Sequence, residues 1–479
     1  MDHGAIVEQL REVVGEAGLL TDPLDTDPYA TDWRRLFHGR TPAVVRPATV
    51  AELAEVVRRC AASGVPMVPQ GGNTSMVGGA TPSADGREIV ISLARMNRVR
   101  TVDPVDLSIT VEAGVTLKAA QDAADAAGCL LPLSIASEGT AQIGGILGSN
   151  AGGNNTVRYG NARDLVLGIE AVLPDGQVLN ALRRLRKDNT GYCLRQLLVG
   201  SEGTLGIITA AALKLVPRPS EVEVALSTLP SPEAALALYT RLARQDPAAL
   251  VAFEYMSAMG VGFVLRHIPN TALPFARRAE HYALVELATP RRNAGLRAVL
   301  EETLAEAMEA GEVLDAVIAE SGKQRAALWR LREEHAEGLR REAVAIRNDV
   351  SVPVSHVPAL IRDAAAACRA LIPDVRVVAF GHLGDGNIHF NLAQPAGSDP
   401  DAFLARSHEV MDAVAEVVRS LDGSFSAEHG VGQLKPYMMP LWRGGAELET
   451  MRRIKRALDP RGLMNPGKVL PPDAAGHTP

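Results

Sequence analysis

Apolar residues in the first 219 positions recur at two spacings, one typical of helices and the other of strands. In residues 5–18 they recur every three or four positions, which predicts an amphipathic helix. Thr49, with Glu52 three residues on and Gly64 at the far end, predicts a second helix that starts with a capping box. Strands are predicted at residues 65–68, 88–93, 107–112, 166–173, 177–179 and 205–216. We therefore expect a domain of mixed helix and sheet over residues 1–219.

The pattern changes after Pro-Arg-Pro-Ser at residues 217–220, which marks a predicted domain boundary. Strands are predicted at residues 222–229, 250–256, 281–288, 345–351 and 388–392. Helices are predicted at residues 234–244, 296–310, 325–341, 357–371, 399–421 and 446–458. Residues 220–425 are thus expected to form an α+β domain built on an antiparallel sheet.

The composition fits a globular protein and argues against several kinds of partner. Hydrophobic residues make up 47% of the 479 positions, and the formal net charge is -7. No basic block is present, so nucleic acid and anionic membrane surfaces are not expected partners. The four cysteines form no CxxC pair, which argues against a cysteine-ligated metal site. The N-terminus is charged and no apolar stretch approaches ~20 residues, so we expect no membrane span and a cytoplasmic location.

The sequence GHLGDGNIHFN, residues 381–391, places His382 and His389 around a glycine-rich bend. The residues after the bend alternate like a strand, which puts His389 and Asn391 on one face. Imidazole suits borderline metals such as zinc, and two histidines with one carboxylate leave an open coordination position, as in catalytic zinc sites. This histidine spacing is not a standard zinc motif, so scattered polar side chains are the alternative.

Glu428 and His429, in the sequence AEHGVG, supply the remaining groups of this hypothesis. Glu428 is the candidate third metal ligand, and His429 is the candidate catalytic base. Adjacent side chains of an extended strand point in opposite directions. The two side chains can share one site only if the chain turns between them, which Gly430 favours, or if metal and base lie on different sides of the substrate.

Glycine and small residues are dense in two further regions. Residues 70–75, QGGNTS, follow a predicted strand, and consecutive glycines let backbone N–H groups converge on a phosphate. A plain surface turn is the alternative. Residues 134–154 offer backbone against which a large flat ligand can lie, with a flexible loop as the alternative. No GxGxxG opens a helix after a strand, so the Rossmann dinucleotide fingerprint is absent.

These motifs occur in the order found in one flavoprotein family. QGGNTS, PLSIASEGTAQIGG, SNAGGNNTVRYG and GSEGTLGIIT resemble the FAD-binding domain of the vanillyl-alcohol-oxidase family, whereas GHLGDGNIHFN, AEHGVG and NPGKVL resemble its FAD-linked oxidase C-terminal part. The resemblance is closest to the D-2-hydroxyacid dehydrogenases. It implies the α+β class, with a two-part FAD-binding domain, an α+β substrate domain on an antiparallel sheet, and a segment over residues 426–479 that returns to the FAD-binding domain.

The resemblance also implies how the cofactor is held. Family members that attach FAD covalently use a histidine in the first loop, and Asn73 occupies that place here. The FAD is therefore expected to be noncovalent. The implied FAD-binding residues are Gln70, Gly71, Gly72, Asn73, Thr74, Ser75, Ser134, Glu138, Gly139, Thr140, Gly144, Gly145, Asn150, Gly152, Ile208 and Asn465.

Arg332, Arg347 and Asn391 are the substrate-binding residues that the resemblance implies. In the 2-hydroxyglutarate branch of the family, an Arg at position 332 acts with a Thr near position 336 and a Lys at position 347. Here Ala336 lacks the hydroxyl group and Arg347 replaces the lysine. Arg and Lys grip carboxylates differently, so the identity of the acid stays open. Without the resemblance, a solvated helix face is the alternative for Arg332.

The implied reaction is the oxidation of a D-2-hydroxy acid, D-2-hydroxyglutarate or D-lactate, to the 2-oxo acid. It would use FAD as hydride acceptor and Zn²⁺ or another divalent metal, with an electron-transferring flavoprotein, a cytochrome or a quinone as external electron acceptor. A homodimer is a possible assembly. The alternatives are a flavoprotein subunit of a glycolate-oxidase-type complex and a metal-independent flavin alcohol oxidase on the same fold.

Precipitation of the purified yellow protein with acid tests the expected noncovalent attachment. The flavin should stay in the supernatant, because Asn73 has no nucleophilic ring nitrogen for a covalent bond. The absorbance of supernatant and pellet near 450 nm measures this. Flavin retained in the washed pellet would contradict the expectation.

Overall fold

The structure, a computed structural model, describes residues 3–472. The helix Val50–Ser63 shows how capping residues set the ends of a helix. Thr49 caps the helix Val50–Ser63, since its Oγ1 accepts the N–H of Glu52 at 3.1 Å. Gly64 ends that helix in the left-handed conformation, at φ 70°. The Glu52 carboxylate accepts the N–H of Ala48, so the predicted capping box is displaced by one residue.

The described residues form two compact units. The first comprises the residues up to Gly152, Asn161–Arg218 and the segment from Glu428 onward. The second comprises Gly153–Gly160 and Pro219–Ala427. The domain limits given above stay predictions.

The strands of both units are named in chain order. They are β1 (Leu19–Leu20), β2 (Val44–Val45), β3 (Met67–Gln70), β4 (Ile89–Ser92), β5 (Val99–Asp103), β6 (Ser108–Glu112), β7 (Cys129–Leu130), β8 (Val166–Val172), β9 (Val178–Ala181), β10 (Ile207–Lys214), β11 (Val216–Pro217), β12 (Glu221–Leu229), β13 (Leu250–Ser257), β14 (His281–Thr289), β15 (Asp315–Ile318), β16 (Ala345–Ser351), β17 (Arg376–His382) and β18 (Asn387–Ala393).

The helices are named in the same way. They are α1 (His3–Val14), α2 (Pro23–Ala30), α3 (Val50–Ser63), α4 (Leu117–Ala126), α5 (Ile143–Ser149), α6 (Thr156–Tyr159), α7 (Ala162–Leu165), α8 (Leu194–Leu198), α9 (Pro232–Gln245), α10 (Ala258–His267), α11 (Leu296–Glu309), α12 (Gly322–Glu333), α13 (His335–Glu342), α14 (Val357–Leu371), α15 (Pro400–Ala405), α16 (Ser407–Ser420), α17 (Met439–Trp442) and α18 (Ala446–Leu458).

The first unit contains two principal sheets. A four-stranded sheet has the order β1-β2-β4-β3, in which β2 and β3 run parallel to β4. A five-stranded antiparallel sheet has the order β5-β6-β10-β8-β9, and its paired strands β8 and β9 correspond to the strands predicted at residues 166–173 and 177–179. Apolar residues of α1 and α3 pack on the first sheet in a continuous core. The two sheets agree with the two-part domain expected from the resemblance.

The second unit is built on a seven-stranded sheet with the order β15-β12-β14-β13-β17-β18-β16. Every pairing within it is antiparallel, which confirms the predicted α+β class. A core of Val, Leu, Met and Phe residues joins one face of the sheet to α10, α12 and α13. None of the helices in the described range is long and apolar enough to cross a bilayer.

Several elements differ from the predictions. The helix predicted at residues 325–341 is two helices, α12 and α13, because Glu334 leaves helical geometry at φ -83° and ψ 6°. The helix predicted at residues 399–421 is likewise divided into α15 and α16, at Arg406. The sequence analysis did not predict α5, α10 and β17. Their glycines and continuous apolar runs give neither a helical nor a strand periodicity.

His335, at the start of α13, should make the second unit sensitive to acid. Its side chain is 1% exposed, and burial together with Arg332 lowers its pKa to about 3. In the unfolded chain the pKa is about 6.5, so only the unfolded state takes up this proton as the pH falls from 7.5 to 5, and the free energy of unfolding should fall by about 2 kcal/mol. His335→Leu should remove this part of the pH dependence in urea titrations at the two pH values.

The exposed His38 provides the control for this prediction. His38→Gln should leave the difference between the two pH values as it is in the wild-type protein. A His335→Leu variant with the wild-type pH dependence would show that His335 is not the group responsible.

Candidate functional site

In the first unit, two glycine-rich segments meet through their main chains. The loop of residues 70–75 follows β3 and lies against residues 140–145. A Cβ on Gly72 would lie 2.0 Å from the carbonyl oxygen of Thr140, and one on Gly71 would lie 3.4 Å from the backbone nitrogen of Gly145. The two segments that the resemblance assigns to FAD are therefore neighbours, and the approach requires glycine at position 72.

The polar side chains of the first loop are held by backbone groups. Nε2 of Gln70 donates to the carbonyls of Tyr29 and Ala80, each at 2.8 Å. Asn73 adopts a positive φ of 52°, and its Nδ2 donates to two carbonyls of the segment around α2. Ser75 Oγ accepts the N–H of Gly79 at 3.1 Å, and Thr74 is half-buried beside it.

The second segment presents its own predicted residues. Gly139, Thr140 and Gly145 are exposed, and Ser134 and Glu138 are half-buried. The Glu138 carboxylate accepts a hydrogen bond from Gln121, and Asn150 ends α5 at φ 53° and accepts the N–H of Arg163. Of the remaining predicted residues, Gly144 on α5 is half-buried, whereas Gly152 and Ile208 on β10 are buried.

Gly144 has a packing reason to be glycine, since a Cβ there would lie 2.8 Å from the Cβ of Ala113.

Three buried amide oxygens in this unit make no hydrogen bond within the described residues. They belong to Asn73, Asn465 and Gln142, the last of which the sequence reading missed. Burying an acceptor without a partner is costly, so such atoms indicate a bound donor. FAD carries several N–H and O–H donors, and the glycine-lined approach suits its flat, bulky form. The residues present therefore fit this cofactor.

Glu202 joins the C-terminal segment to this region. Its carboxylate accepts the N–H groups of Val431 and Gly432, at 2.7 and 2.8 Å, and burial raises its pKa. Asn465 Nδ2 donates to the carbonyl of Glu202 at 2.7 Å. Sequence reasoning missed Glu202, although it lies in the motif GSEGTLG, because a buried carboxylate that binds backbone leaves no periodic pattern.

Glu428 and His429 lie just before this anchored turn. Gly430 has a φ of 80°, so the chain does turn here, and Nε2 of His429 lies 3.9 Å from Oε1 of Glu428. The two adjacent side chains therefore approach each other, and their shared site stays a prediction.

In the second unit, strand register places the predicted polar residues on one face of the sheet. Glu254 of β13 pairs with His382 of β17. His389 of β18 pairs with Phe380 on one side and with Asp349 on the other. Cross-strand partners share a face, and so do alternate residues of one strand. The same face also carries Asn391 and Arg347, which pair with each other.

Glu254 links a predicted metal ligand to a predicted substrate ligand. It has no solvent exposure, and its two oxygens lie 2.7 Å from His382 Nδ1 and 2.6 Å from Arg332 Nε. Burial alone raises the pKa of this carboxyl group, but His382 and Arg332 lower it to about 2. Arg332 is 6% exposed, so it is not part of a solvated helix face.

The two histidines of GHLGDGNIHFN face each other across this surface. Their ring centroids are 5.6 Å apart at a steep interplanar angle of 78°. His389 Nδ1 lies 3.5 Å from Asp349 Oδ1, as His382 Nδ1 lies close to Glu254. Metal-binding histidines in proteins usually have one ring nitrogen beside a carboxylate, which directs the other nitrogen to the metal. The pair therefore fits a divalent metal of the zinc type.

Three polar groups on or above this face lack partners within residues 3–472. Nη1 and Nη2 of Arg332, the guanidinium of Arg347 and the amide of Asn391 make no hydrogen bond there. Arg347 is half-buried, and burial lowers its pKa. The Arg332 guanidinium lies 4.9 Å from the centroid of the Phe380 ring, which helps to fix its plane. Cationic donors without partners indicate an anionic ligand.

Glu254 and Asp349 are functional candidates that sequence reasoning missed. Each is an acidic residue inside a strand, where a buried charge is unexpected and therefore informative. What connects them to the histidines is register, which a single sequence does not provide.

Comparison with known proteins gives two family matches. The family described as "FAD linked oxidases, C-terminal domain" matches residues 218–469, and the "FAD binding domain" matches residues 41–182. The chain belongs to the FAD-linked oxidase family. The protein is accordingly an FAD-dependent oxidoreductase, as the resemblance implied.

Proteins with similar sequences match this chain over nearly its whole length. It is 38% identical to a protein of Xanthomonas citri pv. viticola named D-2-hydroxyglutarate dehydrogenase, over 96% of both chains. It is 37% identical to a Bos taurus protein named D-2-hydroxyglutarate dehydrogenase, mitochondrial, over 95% of this chain and 82% of the relative.

Solved structures show the same fold at low identity. The p-cresol methylhydroxylase structure has a TM-score of 0.76 at 17% identity and covers 98% of this chain and 96% of its own. An alkyldihydroxyacetonephosphate synthase structure has a TM-score of 0.74 at 18% identity and covers 97% and 85%.

Gly72→Ala should greatly reduce flavin binding by this protein. The added Cβ would overlap a backbone oxygen that cannot rotate away, and such overpacking costs about 2 kcal/mol or more, which corresponds to at least about tenfold weaker binding. The ratio of flavin absorbance to protein absorbance after gel filtration measures the loss.

Gly262→Ala is the matched control, because a Cβ on this α10 glycine meets nothing within 4 Å. It should retain a full complement of flavin. Equal flavin content in the two variants would contradict the assigned cradle.

Proposed function

We propose that this protein converts D-2-hydroxyglutarate to its 2-oxo acid, with noncovalent FAD and a divalent metal. The names of relatives at 37% and 38% identity support the substrate. Within the molecule, the proposal is carried by one observation: the cationic and amide donors of Arg332, Arg347 and Asn391 that have no partner in the described residues.

A dicarboxylate matches these groups better than a monocarboxylate does. Arg332 keeps Nη1 and Nη2 for a ligand after its Nε has bound Glu254, and the half-buried Arg347 has no ion pair within residues 3–472, so cationic donors on two different elements await a partner. D-2-hydroxyglutarate brings two carboxylates, whereas D-lactate brings one and would leave a guanidinium unpaired. The two arginines therefore favour the longer, doubly charged acid.

The departures from the family pattern are compatible with this choice. Ala336 is exposed, so the missing hydroxyl lies at a position open to solvent. At position 347 an arginine offers a planar fork that can hold both oxygens of one carboxylate, where lysine offers a single ammonium. A bidentate contact can make up for the lost hydroxyl contact.

In the proposed site, His382, His389 and Glu428 would hold the metal. A Zn²⁺ ion there would lower the pKa of the substrate hydroxyl group. His429 then takes the hydroxyl proton, while the substrate's C2 loses its hydrogen with two electrons and the C2–O bond becomes a carbonyl. Bound FAD supplies the acceptor for that hydride. Asn391 and the arginines hold the carboxylates so that C2 keeps one orientation.

The reduced flavin must pass its electrons to an external acceptor. The cysteines have no spacing that suits an iron–sulfur centre, so an electron-transferring flavoprotein, a cytochrome or a quinone is proposed for this step.

A panel of D- and L-2-hydroxy acids with a dye acceptor, before and after chelation, tests the function. D-2-Hydroxyglutarate should give a kcat/KM at least about tenfold above that of D-lactate, since a single unpaired charge-assisted contact is worth 1.5 kcal/mol or more. Chelation should abolish turnover and zinc should restore it. Activity that survives chelation would support a metal-independent alcohol oxidase, and flavin that no acid bleaches would support a noncatalytic subunit.

The Arg347→Ala variant tests whether Arg347 recognises the second carboxylate of D-2-hydroxyglutarate. The KM for D-2-hydroxyglutarate should rise about tenfold to a hundredfold, as expected for a lost hydrogen-bonded charge, while the lower activity with D-lactate changes less. Arg362→Ala is the control, since Arg362 of α14 is exposed and paired with Asp363. Equal effects of Arg347→Ala on both acids would exclude Arg347 from recognition of the second carboxylate.

A further inference from the structure

Glu254 lies in the interior of the seven-stranded sheet and has no obvious reason to be charged. Strand β13 is flanked by β14 and β17, and the residue has no solvent exposure. A carboxylate in such a place costs free energy unless its oxygens are fully used. Here one oxygen is hydrogen-bonded to His382 and the other to Arg332. In the proposed reaction His382 is a metal ligand, whereas Arg332 is a substrate ligand.

The contact with His382 decides which ring nitrogen can bind a metal. With Nδ1 only 2.7 Å from Oε1 of Glu254, the shared hydrogen belongs on Nδ1, because an ionised carboxylate can only accept. The lone pair of the neutral ring then lies on Nε2. The same contact limits rotation of the ring, so it sets the direction of that lone pair.

The contact with Arg332 decides how its guanidinium meets a ligand. Nε donates to Oε2 of Glu254 at 2.6 Å, and Phe380 packs against the guanidinium at 4.9 Å. One edge and the plane of the guanidinium are thereby fixed. The terminal pair, Nη1 and Nη2, remains for a carboxylate, and two parallel N–H groups are the arrangement that a carboxylate matches best.

We propose that Glu254 is a positioning residue that orients the metal ligand His382 and the substrate ligand Arg332 through a single carboxylate. This proposal rests on the proposed function, since it assigns roles within that site. Its consequence is that metal affinity and substrate affinity depend on one side chain that touches neither metal nor substrate.

A neighbouring acidic residue offers a matched control. Glu286 lies on β14, on the same face of the sheet, and its carboxylate accepts a hydrogen bond from Trp329 at 2.7 Å. It is therefore also a hydrogen-bonded carboxylate beneath α12, but it contacts neither His382 nor Arg332. A general effect of removing a charge from this face should appear in Glu286→Gln as much as in Glu254→Gln.

The experiment compares the two variants as full-length, FAD-loaded enzymes. Zinc affinity is measured without turnover, by competition with a chromogenic chelator, and should fall about tenfold to a hundredfold in Glu254→Gln, as for other carboxylates that orient metal-binding histidines. At saturating zinc, kcat should largely recover, whereas the KM for D-2-hydroxyglutarate should stay about tenfold raised because Arg332 has lost its orientation. Glu286→Gln should match the wild-type enzyme within about twofold in both quantities.

A second measurement stands even if Glu254→Gln does not fold. In zinc-loaded wild-type protein with ¹⁵N-labelled histidine, His382 should show a proton on Nδ1 and metal coordination through Nε2, with its resonances assigned from His382→Gln. Coordination through Nδ1, or wild-type zinc affinity in a folded Glu254→Gln variant, would overturn the proposal while the function stands. A wild-type enzyme that binds no zinc, or that does not oxidise D-2-hydroxyglutarate, would overturn the proposed function and this inference together.

Discussion

The ion pair of Glu254 with Arg332, completed by the hydrogen bond to His382, is the constraint on which the second unit depends. A charged carboxylate without access to water is tolerated only when both oxygens are bound, and removing one partner from such a group typically costs about 3–5 kcal/mol. Helix α12 must therefore dock on the sheet in one register, and β13 must pair with β17 in one register. The contacts that define the fold at this point also define the geometry of the reactive groups.

The candidate sites of the two units are built by different means. In the first unit, main chain shapes the cradle, because the glycines at positions 71 and 72 approach the backbone of residues 140–145. In the second unit, the candidate site consists of side chains, and the register of an antiparallel sheet places them on one face of neighbouring strands. Backbone suits a large common cofactor, whereas side chains on a rigid sheet suit the recognition of one small acid.

What could be predicted from the sequence depended on distance along the chain. Alternation over residues 388–392 is local, so the strand and the shared face of its polar residues were predicted correctly. The contact between Glu254 and His382 joins residues 128 positions apart, and no spacing rule predicts it. The prediction of one continuous helix over residues 325–341 was wrong for another reason. The backbone angles change at Glu334 and divide the helix, although the apolar pattern continues.

The main-chain contact at Gly72 has a consequence for how such proteins diverge. A cradle made from peptide groups asks only that certain positions lack a Cβ, and it is indifferent to most of the side chains around it. Amino-acid replacement can then proceed through much of the domain while the architecture persists, in keeping with TM-scores of 0.74 and 0.76 at 18% and 17% identity. A cofactor held in this way leaves the rest of the chain free to specialise in new chemistry.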